Sequence, residues 1–308
     1  MPDFPTLAPT RRLELLEPPR GRVSLVLDTD TYNEIDDQFA LVYALMSENL
    51  SVEAVYAAPF FNSRSSGPAD GMERSYQEIL RILEFMGHSA EGFAFRGSDR
   101  YLPADKTPLV SPAAEDLVRR ARAASPGPLY VLAVGAITNV ASALLMAPDI
   151  VDKIVVVWLG GHPWYWPTAK EFNLQQDVPA AQVLFDSGVP LVQLPCKNVT
   201  EHLRTTLPEM AAYVKGRGRV GDYLYGIFQG YHPDHFAWSK VIWDISSVAY
   251  MNNPDWVPTE LRPSPILRDD VTWAPEDPRR HPVRQAYDVN RDAVFGDLFR
   301  KLEAWSGA

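Results

Sequence analysis

Ten consecutive residues, Asp28-Thr29-Asp30-Thr31-Tyr32-Asn33-Glu34-Ile35-Asp36-Asp37, carry five carboxylates. Carboxylates at this density repel one another unless they share a cation or hold protons. Hard oxygen ligands suit Ca²⁺ or Mg²⁺, and Ca²⁺ favours the larger, more flexible cage. The run directly follows the apolar stretch Val23–Leu27 and directly precedes a helical one. In parallel α/β proteins the carboxyl ends of strands are where ligands bind. A plainer role is open to part of the run. Asp36 and Asp37 fall in a first helical turn, where the macrodipole favours negative charge, with Asn33 or Asp36 as its cap.

Other side chains narrow the chemistry. The six histidines include no His-x-x-x-His pair, so no zinc site is read. The single cysteine, Cys196, follows an apolar strand and reads as a buried small residue. One cysteine forms neither an internal disulfide nor a thiolate metal site, which leaves oxygen ligation for any metal. The chain has 308 residues, with 29 Lys+Arg against 39 Asp+Glu and a formal net charge of −10. That balance argues against nucleic acid or an anionic membrane as a partner. Residues 1–22 contain five prolines and no apolar core of the signal-peptide kind. No run approaches 18 apolar residues, so a soluble, cytoplasmic protein is expected.

The elements that must position these residues alternate regularly. Strands are predicted at Val23–Leu27, Val52–Ala58, Leu129–Val134, Lys153–Leu159 and Pro190–Leu194. Helices are predicted at Phe39–Met46, Tyr76–Met86, Asn139–Met146 and Pro179–Ser187. Such alternation implies one large α/β domain, residues 23–308 behind a proline-rich lead, with a mainly parallel sheet and helices on both faces. Leu207–Tyr231 reads as helix in two pieces, Trp243–Met251 as a further helix, and Arg291–Trp305 as a closing one. The stretch from Asn253 to Pro282 holds seven prolines and reads as edge strands and loops.

Two families resemble this pattern. Asp28-Thr29-Asp30 after an apolar strand resembles the nucleophile motif of haloacid-dehalogenase-type phosphotransferases, which would make Asp28 a phosphorylated nucleophile with Mg²⁺ nearby. That family also needs a lysine and a later acidic pair at a strand end, and Asp269-Asp270 lies in proline-rich sequence instead. The fuller resemblance is to the nucleoside hydrolases that prefer inosine and uridine. Asp28-Thr29-Asp30 followed by Asp36-Asp37 is similar to their opening signature, with a gap two residues longer. Ala57–Asn62, Leu132–Ala141, Trp158-Leu159-Gly160-Gly161, Glu171-Phe172-Asn173 with Asp177, Trp243-Asp244 and Tyr287–Asn290 follow in the family's order. Asp177 and Asn139 are read as structural residues that cap helices.

This resemblance implies a Rossmann-like core and hydrolysis of the N-glycosidic bond of a ribonucleoside or related N-riboside, giving ribose and free base. It implies Ca²⁺ held by Asp30, Asp37, the carbonyl of Val134 and Asp244. Asp30 would take the proton of a water that the metal orients. Asp36 and Asn62, with Asp244, would bind the ribose 2′- and 3′-hydroxyls, and Glu171 and Asn173 the 5′ side. A homo-oligomer, dimer or tetramer, is the family habit. The chain departs from the family at the leaving group, where Trp243 replaces a histidine and cannot donate a proton at neutral pH. A purine-like base stacked on Trp243, with His232 or His235 as acid, is one expectation; core or interface packing of these aromatics is the other. A non-catalytic nucleoside- or ribose-binding protein is a further alternative.

Overall fold

The apolar runs become strands of a single sheet because each is covered on both faces. The computed structural model describes residues 2–306. The chain opens with α1 (Pro9–Leu16), β1 (Val23–Thr29), α2 (Asp36–Leu45), β2 (Leu50–Ala57), α3 (Pro68–Phe85) and β3 (Ala94–Arg96). It continues through α4 (Pro112–Ala123), β4 (Leu129–Ala133), α5 (Thr138–Met146), β5 (Ile154–Leu159), α6 (Phe172–Gln176), α7 (Val178–Asp186) and β6 (Leu191–Leu194). The last third holds β7 (Arg204–Thr205), α8 (Leu207–Tyr213), α9 (Gly218–Tyr231), β8 (Lys240–Val241), α10 (Ile245–Asn252), β9 (Thr259–Pro263), β10 (Pro282–Ala286) and α11 (Arg291–Ser306).

Eight strands form the central sheet in the order β3-β2-β1-β4-β5-β6-β10-β9. Every neighbouring pair is parallel except β10 and β9, which closes one edge antiparallel. All residues of β4 and β5 are buried, as continuous apolar strands under two helical layers must be. One group of helices packs α2 against α3, α9 and α10, and another packs α5 against α4 and α7. The strand order reverses beside β1: β2 and β3 lie on one side, β4 to β6 on the other. Such a reversal opens a crevice outside the carboxyl ends of β1 and β4. Both the acidic run and the Val134–Ile137 turn emerge there.

The expected α/β architecture is therefore present, and most differences fall at element ends. Helix α2 begins at Asp36, three residues before its apolar face starts, because the two aspartates favour its positive end. Helix α10 begins only at Ile245, with Asp244 at the preceding cap position rather than inside the helix. Several elements have no counterpart in the sequence reading, among them the short α6, β7 and β8 and the two that follow. Strand β3 is three residues long and too short to show alternation. Helix α4 buries Ala113, Ala114 and Ala121 with only one larger apolar residue, Leu117, so its stripe is faint. The proline-rich lead also contains α1, whose Leu15 and Leu16 are buried. The Arg284 side chain on β10 donates to the Leu16 carbonyl and holds this helix against the sheet.

Candidate active site

Strand β1 ends in Asp28 and Thr29, with Asp30 directly after it, and all three are almost fully buried. The chain then turns sharply, the Asn33 amide donating to the Asp30 carbonyl at 2.7 Å. It re-enters as α2 with Asp36 and Asp37. From the far side, the start of α10 contributes Asp244. One carboxylate oxygen each from Asp36, Asp37 and Asp244 lies within 4.8 Å of the others, and all three residues are buried. Beneath them both oxygens of Asp30 are buried with no hydrogen-bond partner. Gly135 permits this packing: a Cβ there would stand 3.1 Å from the Asp30 carboxyl carbon, so any side chain would press on it.

Burial of so many acids moves their titration. Burial raises Asp30 well above the ordinary carboxylate range, and the charges of Asp37 and Asp36 raise it further. Asp244 is raised in the same sense by burial and then by Asp36, Asp37 and Asp30. Burial lifts Asp37 to about 7 with help from Asp36. Asp36 rises only to about 6, because Lys240 offsets part of its burial. Lys240 is itself buried, which opposes its charge, yet Asp36 and Glu34 more than compensate and hold its pKa above the ordinary lysine value. Its ammonium pairs with Glu34 and lies 3.9 Å from Asp36. One lysine does not neutralise four buried carboxylates. The unpartnered oxygens of Asp30 and the all-oxygen donor set together fit a hard divalent cation.

Above this floor lies a cleft of about 290 Å³, with a volume near the lower bound for small-molecule sites. Of the residues expected at the site, Asp36, Asp37, Val134, Glu171, Asn173, Trp243 and Asp244 line it. Asn173 donates its side-chain amide to the carbonyls of Val134, at 2.9 Å, and Leu159, at 3.0 Å. It thereby fixes the main-chain oxygen expected to face a metal. The Glu171 carboxylate accepts from the backbone amides of Gly161, Asn173 and Leu174, capping α6 and anchoring the Gly160-Gly161 turn. Trp243 is half-buried, and its backbone amide donates to Asp36 at 3.2 Å.

Four expected residues are not in the cleft lining: Asp30, which is buried among the other acids, and Asn62, His232 and His235. The side chain of Asn62 donates to the carboxamide oxygen of Asn33 at 2.5 Å, and Asn33 lines the cleft in its stead. The longer acidic loop thus interposes its own asparagine. His232 stacks on Trp238 with ring centroids 4.8 Å apart, and His235 reaches the carbonyl of Gln229 at 2.9 Å. Both histidines belong to an aromatic cluster following α9 and lie outside the lining. Asp28 is also off the cleft, fully buried and bonded to Asn139 at 2.8 Å, with burial raising its pKa to about 7. Asn139 is therefore a brace for Asp28 rather than a helix cap. Asp177 does cap α7, accepting from the Ala180 amide at 3.0 Å, and also accepts from Thr138 on α5 at 2.6 Å.

The cleft contains residues that spacing did not single out as ligands: Glu34, His162, Lys170, Cys196 and Lys197. His162 had a visible signal, since it directly follows the Gly-Gly turn. The lysines had none, being isolated charges in loop sequence. Cys196 is buried, as its place after an apolar strand suggested.

Comparison with known proteins agrees with this geometry. A family model described as inosine-uridine preferring nucleoside hydrolase matches residues 25–296. A pyrimidine-specific ribonucleoside hydrolase RihA from Citrobacter koseri is 31% identical over 180 residues, 51% of this chain and 55% of that protein. The chain thus matches little more than half the length of that relative. A probable uridine nucleosidase 2 from Arabidopsis thaliana is 25% identical over 271 residues, 79% of each protein. Among solved structures, a plant nucleoside hydrolase has the same fold with a TM-score of 0.74 at 21% identity, covering 92% of this chain and 99% of that one. A purine-preferring ribonucleoside hydrolase from Gardnerella vaginalis gives 0.70 at 21% identity, with the same coverage.

Proposed function

Because the chain belongs to the inosine-uridine preferring nucleoside hydrolase family, we propose that it hydrolyses the N-glycosidic bond of a ribonucleoside or closely related N-riboside with the help of Ca²⁺. One observation carries this reading: four buried carboxylates, Asp30, Asp36, Asp37 and Asp244, converge under a cleft at the point where the strand order reverses. The phosphotransferase reading lacks comparable support, since Asp28 faces Asn139 instead of the cleft.

Asp30, Asp37, Asp244 and the carbonyl of Val134 would hold the cation, and Asp36 is close enough to join them. A bound divalent cation supplies positive charge that lowers the pKa of an adjacent water. Asp30, with both oxygens uncommitted, takes the proton of the attacking water. Asp36 and Asp244 accept the ribose 2′- and 3′-hydroxyls, and Asn33, turned by Asn62, adds an amide to that grip. Asn173 and Glu171 shape the opposite wall, where the 5′ side of the sugar lies. Trp243 offers its ring to the leaving base. Neither His232 nor His235 is retained as the leaving-group acid.

The test joins metal analysis of the purified protein to a riboside panel that includes an activated aryl riboside. Expected are a bound divalent cation, release of reducing sugar, and loss of both after chelation. An aryl leaving group needs no acid, so fast aryl cleavage beside slow nucleoside cleavage locates the difference at Trp243. Binding of ribosides without turnover of any of them would overturn the hydrolase reading in favour of a binding protein. Light scattering in solution tests the accompanying expectation of a homo-oligomer.

A further inference from the structure

The cleft carries charge of both signs. Its lining includes the acidic Asp36, Asp37 and Asp244 and, grouped around the His162 ring, Lys170 and Lys197. His162 is only 8% exposed, and its Nδ1 is buried without a partner. The Lys170 backbone lies close to the ring and favours its protonation, while Nδ1 itself has no partner. Lys197 spends one ion pair on Glu201, at 3.3 Å, and Lys170 forms none among the described residues. Glu171, a carboxylate of the same lining, is occupied by three backbone amides. A neutral riboside would leave the buried imidazole nitrogen of His162 without a partner, a costly omission, and would leave the exposed Lys170 ammonium to solvent alone.

Building on the hydrolase reading above, we propose that these three basic groups hold a phosphate monoester, making the substrate a nucleoside 5′-monophosphate rather than a neutral nucleoside. The lysines supply donors to the anionic oxygens, each ammonium having three N–H groups. At neutral pH a phosphate monoester is mainly a dianion, which favours the imidazolium form of His162, and its Nδ1–H then donates to a phosphate oxygen. A phosphate dianion brings three acceptor oxygens and about twice the charge of a carboxylate to these three basic groups, which favours phosphate over carboxylate. The position on the sugar follows from the acidic residues of the cleft. Asp36 and Asp244 accept hydroxyl protons that a 2′- or 3′-phosphate would have lost, and C1′ carries the base, which leaves C5′. In the reaction the C1′–N bond breaks, the oxygen of water bonds to C1′, and a water proton ends on the base. The products are ribose 5-phosphate and free base, with the ester intact.

The experiment compares kcat/KM of AMP and UMP with those of adenosine and uridine, using Ca²⁺-loaded protein. We expect an advantage of about tenfold or more for the monophosphates, the size of a single charge-assisted contact. In Lys170→Met, Lys197→Met and His162→Gln the monophosphate-to-nucleoside ratio should fall by up to roughly tenfold each. Taking the ratio within one variant cancels any loss of folded protein. Ribose 5-phosphate should also inhibit more tightly than ribose. Equal or faster turnover of the neutral nucleosides overturns the phosphate site while leaving the hydrolase reading intact. A preference for base carboxylates, tested with orotidine, overturns it by moving the anion to the leaving group. If no riboside is cleaved, including the aryl riboside, the hydrolase reading fails and this proposal fails with it.

Discussion

Asp30 shows how function and stability compete at one side chain. Its oxygens are buried, unpartnered and surrounded by other acids, so the metal-free fold bears an electrostatic cost there. Asp30→Asn keeps the shape and removes the charge. In the proposed reaction it should lower kcat by about 10²–10⁴-fold, yet raise metal-free stability by on the order of 1 kcal/mol. Steady-state kinetics and denaturant melts of the same variant check both signs; a loss of stability in Asp30→Asn would contradict the strain. Lys240 makes the converse case. Lys240→Met leaves Asp36 and Glu34 without their cation, and should cost roughly 2–4 kcal/mol in the metal-free state. The same change should tighten divalent-cation binding, because a competing positive charge 3.9 Å from Asp36 is gone. Calorimetric titration showing weaker binding would contradict that competition. At this scale the sequence was informative about acids and uninformative about cations: a run of carboxylates stands out, whereas Lys170, Lys197 and Lys240 gain their meaning only from folding. Asn62 bonds Asn33, which lines the cleft in its place, an arrangement of the longer loop that residue spacing alone does not encode.

The elements around the site are tied together by buried amides as well as by apolar packing. Gln285 on β10 donates to Gln193 on β6 at 3.0 Å, and Gln193 donates to the Gly160 carbonyl at 2.9 Å. Gly161 follows with φ +75°, a conformation that favours glycine, and its amide is held by Glu171. This chain of side chains runs from the strand next to the sheet's edge to the wall of the cleft. Gln193→Ala breaks it twice, leaving a buried carbonyl and a buried amide unpaired, and should cost about 2–4 kcal/mol in urea denaturation. A proportionate fall in kcat/KM is expected, since the Gly160-Gly161 turn loses one of the side chains that anchor it, Glu171 being the other. Wild-type activity in that variant would show that Glu171 and the backbone bonds to Leu194 and Cys196 suffice to fix the turn. Elements with strong periodicity, such as β5 and α7, were legible almost to the residue. Those that depend on context were not: β3 is defined only by pairing with β2, and α4 by alanines that become a buried face only beneath neighbouring elements.

Across the whole molecule, pH should act through groups far from the cleft. His281 is largely buried near Arg12 and Arg280; burial first, then those two positive charges, depress its pKa to about 3. In the unfolded chain it titrates near 6.5. The unfolded state therefore binds more protons between those values, and stability that is complete above about pH 6.5 is lost as pH falls toward 3. The loss by about pH 5 is up to roughly 2 kcal/mol. His281→Gln should flatten this acid limb in melts taken between about pH 7 and 5. An unchanged slope would assign the acid sensitivity to other groups. The metal-free acidic floor pulls the opposite way, because carboxylates with raised pKa values favour the folded state at lower pH. Added divalent cation should therefore raise the melting temperature more at pH 8 than at pH 6.

The two borders of the sheet have a consequence for how copies of this chain meet. At one border β3 offers only three residues. At the other, β9 carries Glu260 and Arg262 and pairs Pro263 with Pro282, so two positions in the outermost ladder lack an N–H. Short, charged and proline-bearing margins discourage strand-to-strand recruitment. An assembly of this protein must then be built from helices and loops, and its sheet is poorly suited to seeding fibrils even though its inner strands are almost wholly aliphatic.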